Sequence, residues 1–371
     1  MIVSEKSIAD LDLVVESLSP EEQSLFHRLF RLNITVGLLK APEEMQEWIE
    51  KQFGSIEVTE RQRIVRVTNM VTYEAALFNE LRARRPIEAK AGDPISAFNK
   101  NGNDAADPLC QPLVGTPEDL IGRVRGRYCI SASNIAKFDG HHSLLIFAEH
   151  NPLIFGREQV LDYLDTGHRW AEEVHSTDPE AKYYLFIWNC LWRAGASLLH
   201  GHAQVILGKG MHYAKIEQLR LSALGYRERH GANYFDDLYE VHKALGVGFE
   251  KEGCRVMASL TPIKEREVLV MAPAMDRSFQ ERLYEVLAAM RDKMGVASFN
   301  LVIYMPPIAP DEEDWSGFPV VARIVDRGDL AARTSDFASM EMYATSVVSS
   351  DPFRVVKPLK EALLGEMVGV S

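Results

Sequence analysis

Seven short runs of β-branched, aromatic and aliphatic residues constrain this chain more than any other feature. "HSLLIFAEHNPL", "KYYLFIWN", "HAQVILG", "RVMASLTP", "REVLVMAP", "FNLVIYMPP" and "FPVVARIVD" lie in the C-terminal two thirds and are bounded by turn residues, the mark of short strands. The helical stretches among them are "REQVLDYLDTGHRWAEEVH", a long one around 212–246, and "RSFQERLYEVLAAMRDKMG" ending on Gly295. They separate groups of strands rather than alternating with single ones, which predicts an α+β fold with a largely antiparallel sheet. The order also contains an echo. "HSLLIFAEHNP", a helix, "YYLFIWN" and "HAQVILG" are matched in pattern, not identity, by "REVLVMAPAM", a helix, "FNLVIYMPP" and "VVARIVD". Two structural repeats are expected.

The N-terminal part reads as mostly helical. Ser19 as N-cap, Pro20 in the first turn and Glu22 form a capping box. "APEEMQEWIEKQFG" is a second helix closing on Gly54. "TERQRIVRVTNMVTYEAALFNELRARRP" predicts a third, with Thr59 and Gln62 as a capping pair and Pro86 as a stop. Residues 88–109 are polar and rich in breakers, and read as a loop or linker. The expected organisation is a helical appendage over 1–80, a first repeat over 81–210 and a second over 211–371.

Composition narrows the function class. A net charge of −12 over 371 residues opposes nonspecific nucleic-acid binding, so Arg82, Arg84 and Arg85 read as binders of a small anion or as a solvated helix end. Cys110, Cys129, Cys190 and Cys254 are scattered without a CxxC pair, which fits a reducing compartment. No signal-like or membrane-spanning segment is evident. The expectation is a cytoplasmic protein with no membrane and no nucleic-acid partner.

The stretch "WRAGASLLHGHAQVILG" (192–208) carries the chemistry. In an extended strand residues i and i+2 share a side, so His200, His202 and Gln204 project together. Buried without partners, three such polar side chains are costly. The small residues Gly195, Ala196 and Ser197 let backbone N–H groups approach a phosphate closely. An imidazole aimed at phosphorus can form a phosphoramidate and split a transfer into two steps. Its other nitrogen then needs a fixed partner, such as a backbone carbonyl near Gly201 or Ala203. From these residues alone a metal pair and an ordinary pair of strand histidines stay open as alternatives. His141 and His142 read as turn or edge residues, and the acidic run 311–315 as a solvated loop.

The string from Asn189 to Gln204, "NCLWRAGASLLHGHAQ", resembles the active-site signature of the galactose-1-phosphate uridylyltransferases. That family is the two-repeat branch of the histidine-triad superfamily, with ADP-glucose phosphorylase and diadenosine tetraphosphate phosphorylase as relatives. "RARRP" (82–86), "DPLC" (107–110) and "SASNIAKFDGHHSLLIFAEHNPL" (131–153) are similar to further family elements in the same order. The resemblance spans roughly residues 80–365. It implies two histidine-triad-like repeats and a nucleotidyl-histidine mechanism. By it, His202 is the nucleophile, Gln204 bonds the phosphoryl oxygens and Ser197 stabilises the transferred or leaving phosphate. Asn189 helps bind phosphate, Asn134 contacts the nucleotide, Gly195 and Ala196 line the phosphate loop, and Arg82 and Arg85 offset pyrophosphate charge.

The resemblance also implies where the chain departs from its pattern. Family members that bind zinc use a CxxC, a downstream histidine and the first histidine of the HxH. Here Cys110, His150 and His200 are present, Leu113 replaces the second cysteine, and Asp107 is a substitute. The chemistry itself requires no cofactor, and zinc is the minor alternative, with His200 otherwise a supporter of the nucleophile. Gly201 replaces a proline and Leu191 a glycine, and "PVVARIVDRG" lacks an HxH element in the second repeat. The function expected is transfer of a nucleoside monophosphate between a nucleotide sugar and a sugar 1-phosphate or phosphate. Phosphorolysis of an ADP-sugar or dinucleoside polyphosphate is the alternative, followed by a non-catalytic nucleotide-binding regulator. The resemblance further implies a homodimer.

Overall fold

The structure, a computed structural model, describes residues 6–84, 107–333, 337 and 339–366. The stretch expected as a linker therefore lies almost wholly outside the described residues, as does Arg85.

All seven expected strands form, within one nine-stranded antiparallel sheet. The first repeat comprises α5 (Pro112–Gly115), β4 (Cys129–Ser133), β5 (His141–Phe147), α6 (Arg157–Thr177), β6 (Ala181–Cys190) and β7 (His202–Lys209). The second comprises β8 (Gly248–Lys251), β9 (Cys254–Ala258), β10 (Val268–Ala272), α9 (Arg277–Met294), β11 (Phe299–Tyr304) and β12 (Val320–Asp326). The sheet order β4-β5-β7-β6-β11-β12-β10-β9-β8 makes the repeats mirror one another about the β6–β11 junction. There Asn189 faces Asn300 and Trp188 faces Leu301.

Strand alternation sends the two sheet faces to different environments. Phe147 stacks on Tyr163 of α6 with ring centroids 3.7 Å apart, and Trp188 meets Phe147 edge-on. This helix-covered face, which also buries Val205, Leu207 and Ile303, is the main core. Each such side chain contributes about 1.5–3 kcal/mol through burial. The opposite face holds His202, paired with Ile146, and Gln204, paired with Leu144 and Ile187. The two repeats are joined by α7 (Ala214–His230) and α8 (Tyr234–Leu245). The single long helix expected around 212–246 is thus broken, because Gly231 takes a positive φ of 66° and Asn233 caps the second helix.

The helical appendage expected over 1–80 is corrected most. α1 (Leu11–Glu16), α2 (Pro20–Leu29), α3 (Glu43–Phe53) and α4 (Ile56–Glu60) do form, with the Ser19–Glu22 capping box intact. Between them, however, run β1 (Phe30–Leu38), β2 (Arg61–Asn69) and β3 (Ala75–Phe78). The expected third helix is mainly β2. Ile64, Val65, Val67 and Thr68 are β-branched, and Val65, Val67 and Asn69 are buried in strict alternation, a period-2 pattern that overrides the capping signal at Thr59. Nor is this unit separate from the rest. A late strand, β13 (Thr345–Val348), pairs in parallel with β3, and α10 (Pro352–Leu364) follows it. Arg323 of β12 bonds Glu267 and Glu74, both at 2.8 Å, tying the small sheet to the large one. In the acidic run, Asp311 accepts from Tyr183 and Asp314 ion-pairs with Arg227, so the run is an anchored loop. Among the described residues, no helix is long and apolar enough to cross a membrane.

Candidate active site

The turn from β6 to β7 carries the site. Leu191 takes a φ of 67° with ψ 175°, a region costly for any side chain, and Gly195 a φ of 93°. Leu191 therefore stands where glycine is the easier residue. Its side chain is buried, and its carbonyl accepts from the N–H groups of Ala194 and Ala196. Asn300 clamps the turn from the second repeat. Its amide donates to the carbonyl of Ala194 at 2.8 Å and to Oδ1 of Asn189 at 2.7 Å, while Arg327 donates to Asn300 Oδ1. Ser197 lies exposed in the same turn.

Gly201 is required by close approach. Its N–H donates to the His150 carbonyl at 2.8 Å and its carbonyl accepts from Phe147 at 2.9 Å. A Cβ there would meet Phe147 at 2.8 Å and the Glu149 carbonyl at 2.9 Å. The two histidines beside it are thereby fixed in different environments.

His202 holds its Nδ1 2.8 Å from the His200 carbonyl. A carbonyl only accepts, so Nδ1 keeps the proton and Nε2 presents its lone pair. Burial pushes the His202 pKa below its ordinary value, against the opposing pull of that carbonyl. His200 uses the other nitrogen. Its Nε2 lies 2.8 Å from the Phe147 carbonyl, so the lone pair is on Nδ1. Around that lone pair stand His150 Nδ1 at 3.2 Å, Cys110 Sγ at 3.5 Å and Asp107 Oδ2 at 3.5 Å. The four ligand atoms all lie within 4.8 Å of one another. Asp107 reaches the cluster because its Oδ1 caps the turn over Pro108–Cys110, accepting from Leu109 N–H. One thiol, two imidazoles and a carboxylate, with the outer nitrogen of His200 bonded to a carbonyl, match the kind of donor set and support that a tetrahedral zinc ion takes. The residues present therefore fit a metal. Burial also pushes the His200 pKa down.

Gln204, two residues beyond His202 on β7, places its Oε1 2.9 Å from Nε2 of His142. Asn134 lies beside the same ring. His142 is not the edge residue the sequence suggests, because β4 pairs outside β5 and leaves it fully buried. Arg82 is brought into a separate cleft with Arg193, Lys264, Arg266, Arg327 and Arg354 at the end of the sheet where the β6–β7 turn lies. Of the carboxylates in its wall, Glu341 pairs with Lys264 at 2.5 Å and Asp326 with Arg266 at 3.3 Å, and two others are held by backbone N–H groups. Glu265 accepts from the N–H groups of Ser349 and Ser350, and Asp351 from those of Ile8 and Phe353.

The sequence reading missed His142, Asn300 and Arg327. Asn300 and Arg327 belong to the second repeat, and only the β6–β11 pairing brings them to the first. His142 would have been visible had β4 been read as a strand.

No protein-family model and no curated protein matches the chain by sequence. Solved structures do match it. An ADP-glucose phosphorylase from Arabidopsis thaliana with bound ADP-glucose superposes with a TM-score of 0.58 at 14% identity, over 81% of this chain and 97% of that one. A uridylyltransferase gives 0.54 at 14% identity, over 81% and 99%. The chain has the galactose-1-phosphate uridylyltransferase-like fold. A galactose-1-phosphate uridylyltransferase-like protein from Arabidopsis thaliana agrees, with a TM-score of 0.52 at 14% identity over 70% and 93%. At such identity the likeness is one of fold alone.

Proposed function

We propose that this chain is a nucleotidyltransferase that carries a nucleoside monophosphate on His202, between a nucleotide sugar and a sugar 1-phosphate or inorganic phosphate. The observation that carries this reading is the hydrogen bond from His202 Nδ1 to the His200 carbonyl, which leaves Nε2 as a neutral nucleophile. Nε2 attacks the α-phosphorus and forms a P–N bond. The bond from phosphorus to the bridging oxygen breaks, and the sugar phosphate departs with the electron pair. The ring becomes cationic in the adduct, and the His200 carbonyl at Nδ1–H stabilises that charge. An acceptor phosphate oxygen then attacks phosphorus and returns the electron pair to Nε2.

The supporting groups follow from their bonds. Asn189 spends its Oδ1 on Asn300, so its NH2 remains to donate to phosphate. The cleft, in which lysines and arginines outnumber carboxylates although Lys264 and Arg266 are themselves ion-paired, supplies residual positive charge for the acceptor's phosphate. A zinc ion held by Asp107, Cys110, His150 and His200 would cross-link the three segments behind the nucleophile. Its contribution when bound is structural, since all four positions of a tetrahedral ion are taken by protein ligands.

The test is the intact mass of the protein after separate incubation with UDP-glucose, ADP-glucose and diadenosine tetraphosphate, each without acceptor. The expected result is an acid-labile gain of one UMP or AMP, absent in His202→Ala. Discharge of the adduct by inorganic phosphate would mark a phosphorylase, and discharge by glucose 1-phosphate or galactose 1-phosphate a hexose-1-phosphate transferase. Saturable nucleotide binding with no adduct from any donor would overturn the proposal in favour of a binding protein.

A further inference from the structure

His142 lies outside the set of groups assigned to the transfer, yet it is the hub between two of them. It is fully buried on β5 and sits diagonally across from Gln204 on β7, since His142 pairs with Ile206 and Leu144 with Gln204. The loop after β4 wraps around it. The N–H of Asn134 and Nζ of Lys137 both donate to its carbonyl, at 3.1 and 2.8 Å. The Phe138 ring lies 4.5 Å from the imidazole, centroid to centroid.

The tautomer is decided by the backbone. The N–H of Phe138 donates to His142 Nδ1 at 2.9 Å, and a backbone N–H has no alternative role. Nδ1 therefore carries the lone pair and Nε2 the proton. Burial pushes the His142 pKa below its ordinary value, which favours this neutral form. The Nε2–H group finds its acceptor in Oε1 of Gln204 at 2.9 Å. Asn134 Nδ2 lies 3.2 Å from the same nitrogen and, being a donor, makes no bond to it in this tautomer. Asn134 has already committed its Oδ1 to the N–H of Ala136.

Two amides are thus turned the same way, with carbonyl oxygens consumed inside the protein and NH2 groups left as donors beside the nucleophile's strand. A glutamine without such a partner can rotate its amide by half a turn and present an oxygen lone pair to an anionic phosphoryl group. We propose that His142 is a positioning residue that holds the Gln204 amide with its NH2 group turned to the phosphoryl oxygens of the substrate. The role in transfer rests on the proposed nucleotidyl chemistry. The orientation itself does not.

Two measurements test it. In the ligand-free protein, nitrogen-15 spectra of labelled histidines should show His142 with Nε2 protonated and Nδ1 bare. A protonated Nδ1 would overturn the proposal. Binding of AMP and UMP is then titrated for the wild type, His142→Leu, His142→Asn, Gln204→Ala and the His142→Leu/Gln204→Ala pair. His142→Leu and Gln204→Ala should each weaken binding about tenfold, the size of one lost charge-assisted hydrogen bond. The double variant should be no weaker than Gln204→Ala alone. His142→Asn, which offers both an acceptor and a donor, should recover most of the loss. Additive losses, or no recovery with asparagine, would show a merely structural histidine and overturn the proposal. Failure of the wild type to bind either nucleotide would instead count against the proposed function, and the tautomer would still decide whether His142 orients Gln204.

Discussion

The nitrogen that His202 offers is chosen by the carbonyl two residues before it, and the opposite choice is made at His200 by the carbonyl of Phe147. Adjacent imidazoles therefore take opposite tautomers, one free for chemistry and one turned to Cys110, His150 and Asp107. Another buried histidine gives the same physics a measurable consequence. His242 of α8 donates from Nδ1 to the Leu238 carbonyl at 2.7 Å and accepts the Leu260 N–H at Nε2. Burial pushes its pKa down to about 4. A histidine whose folded pKa is depressed is neutral in the fold while the unfolded chain binds the proton, so stability falls with pH from about 6.5 towards 4. The loss attributable to His242 should approach on the order of 3 kcal/mol near pH 4. Urea unfolding at pH 7.5, 5.5 and 4.5 should show the decline, and His242→Leu should make it shallower, leaving the share of the buried His212, whose pKa is also pushed down to about 4. An equal slope in the variant would refute the assignment.

At the scale of elements, the site is made by segments that are distant in sequence and converge on one end of the sheet. The turn over Pro108–Cys110, the turn after β5 and the start of β7 meet at the four-donor cluster. If zinc joins them, the purified protein should carry about one equivalent. A strong chelator should then lower the melting temperature by several degrees, and Asp107→Asn should reduce the bound metal. Zinc far below one equivalent, or melting unaffected by the chelator, would sink the assignment. The clamp across β6–β11 makes a separate claim. Asn300→Ala removes the donor to both Ala194 and Asn189. It should slow adduct formation roughly tenfold or more, since small misplacements of a reacting loop are costly, while leaving the thermal melt nearly unchanged. A normal adduct rate in Asn300→Ala would show that the clamp is dispensable.

Across the whole molecule, one buried guanidinium couples the two sheets. Arg323 lies between Glu267, which is completely buried, and Glu74. Burial raises the pKa of Glu267, a measure of how poorly that carboxylate tolerates its surroundings. Arg323→Met would leave the buried Glu267 without its charge partner, while Glu74 keeps Lys215 at 3.2 Å, and should cost about 3–5 kcal/mol, read by urea unfolding. A loss below about 1 kcal/mol, the scale of an exposed pair, would show that the network is solvated.

The sequence by itself determined seven of the nine strands of the large sheet and the helices α6 and α9, because periods of two and near four are local and each run is closed by its own turn residues. It missed β4 and β8. It placed His202 and Gln204 on one side of β7, whereas His200, expected with them, lies in the turn before the strand. It hid β1 and β2, although Leu32, Ile34, Val36 and Leu38 alternate with Asn33, Thr35 and Gly37, because a strong capping box nearby outweighed a weaker alternation. Tertiary structure alone decided the rest. A tautomer depends on which carbonyl or N–H lies within hydrogen-bond reach, and the Phe147 carbonyl reaches His200 only through the pairing of β5 with β7. The Asn300 clamp exists only because β6 and β11 are neighbours, over a hundred residues apart in the chain. Hydrogen bonds of this kind are set by register between strands, and register is a property of the assembled sheet.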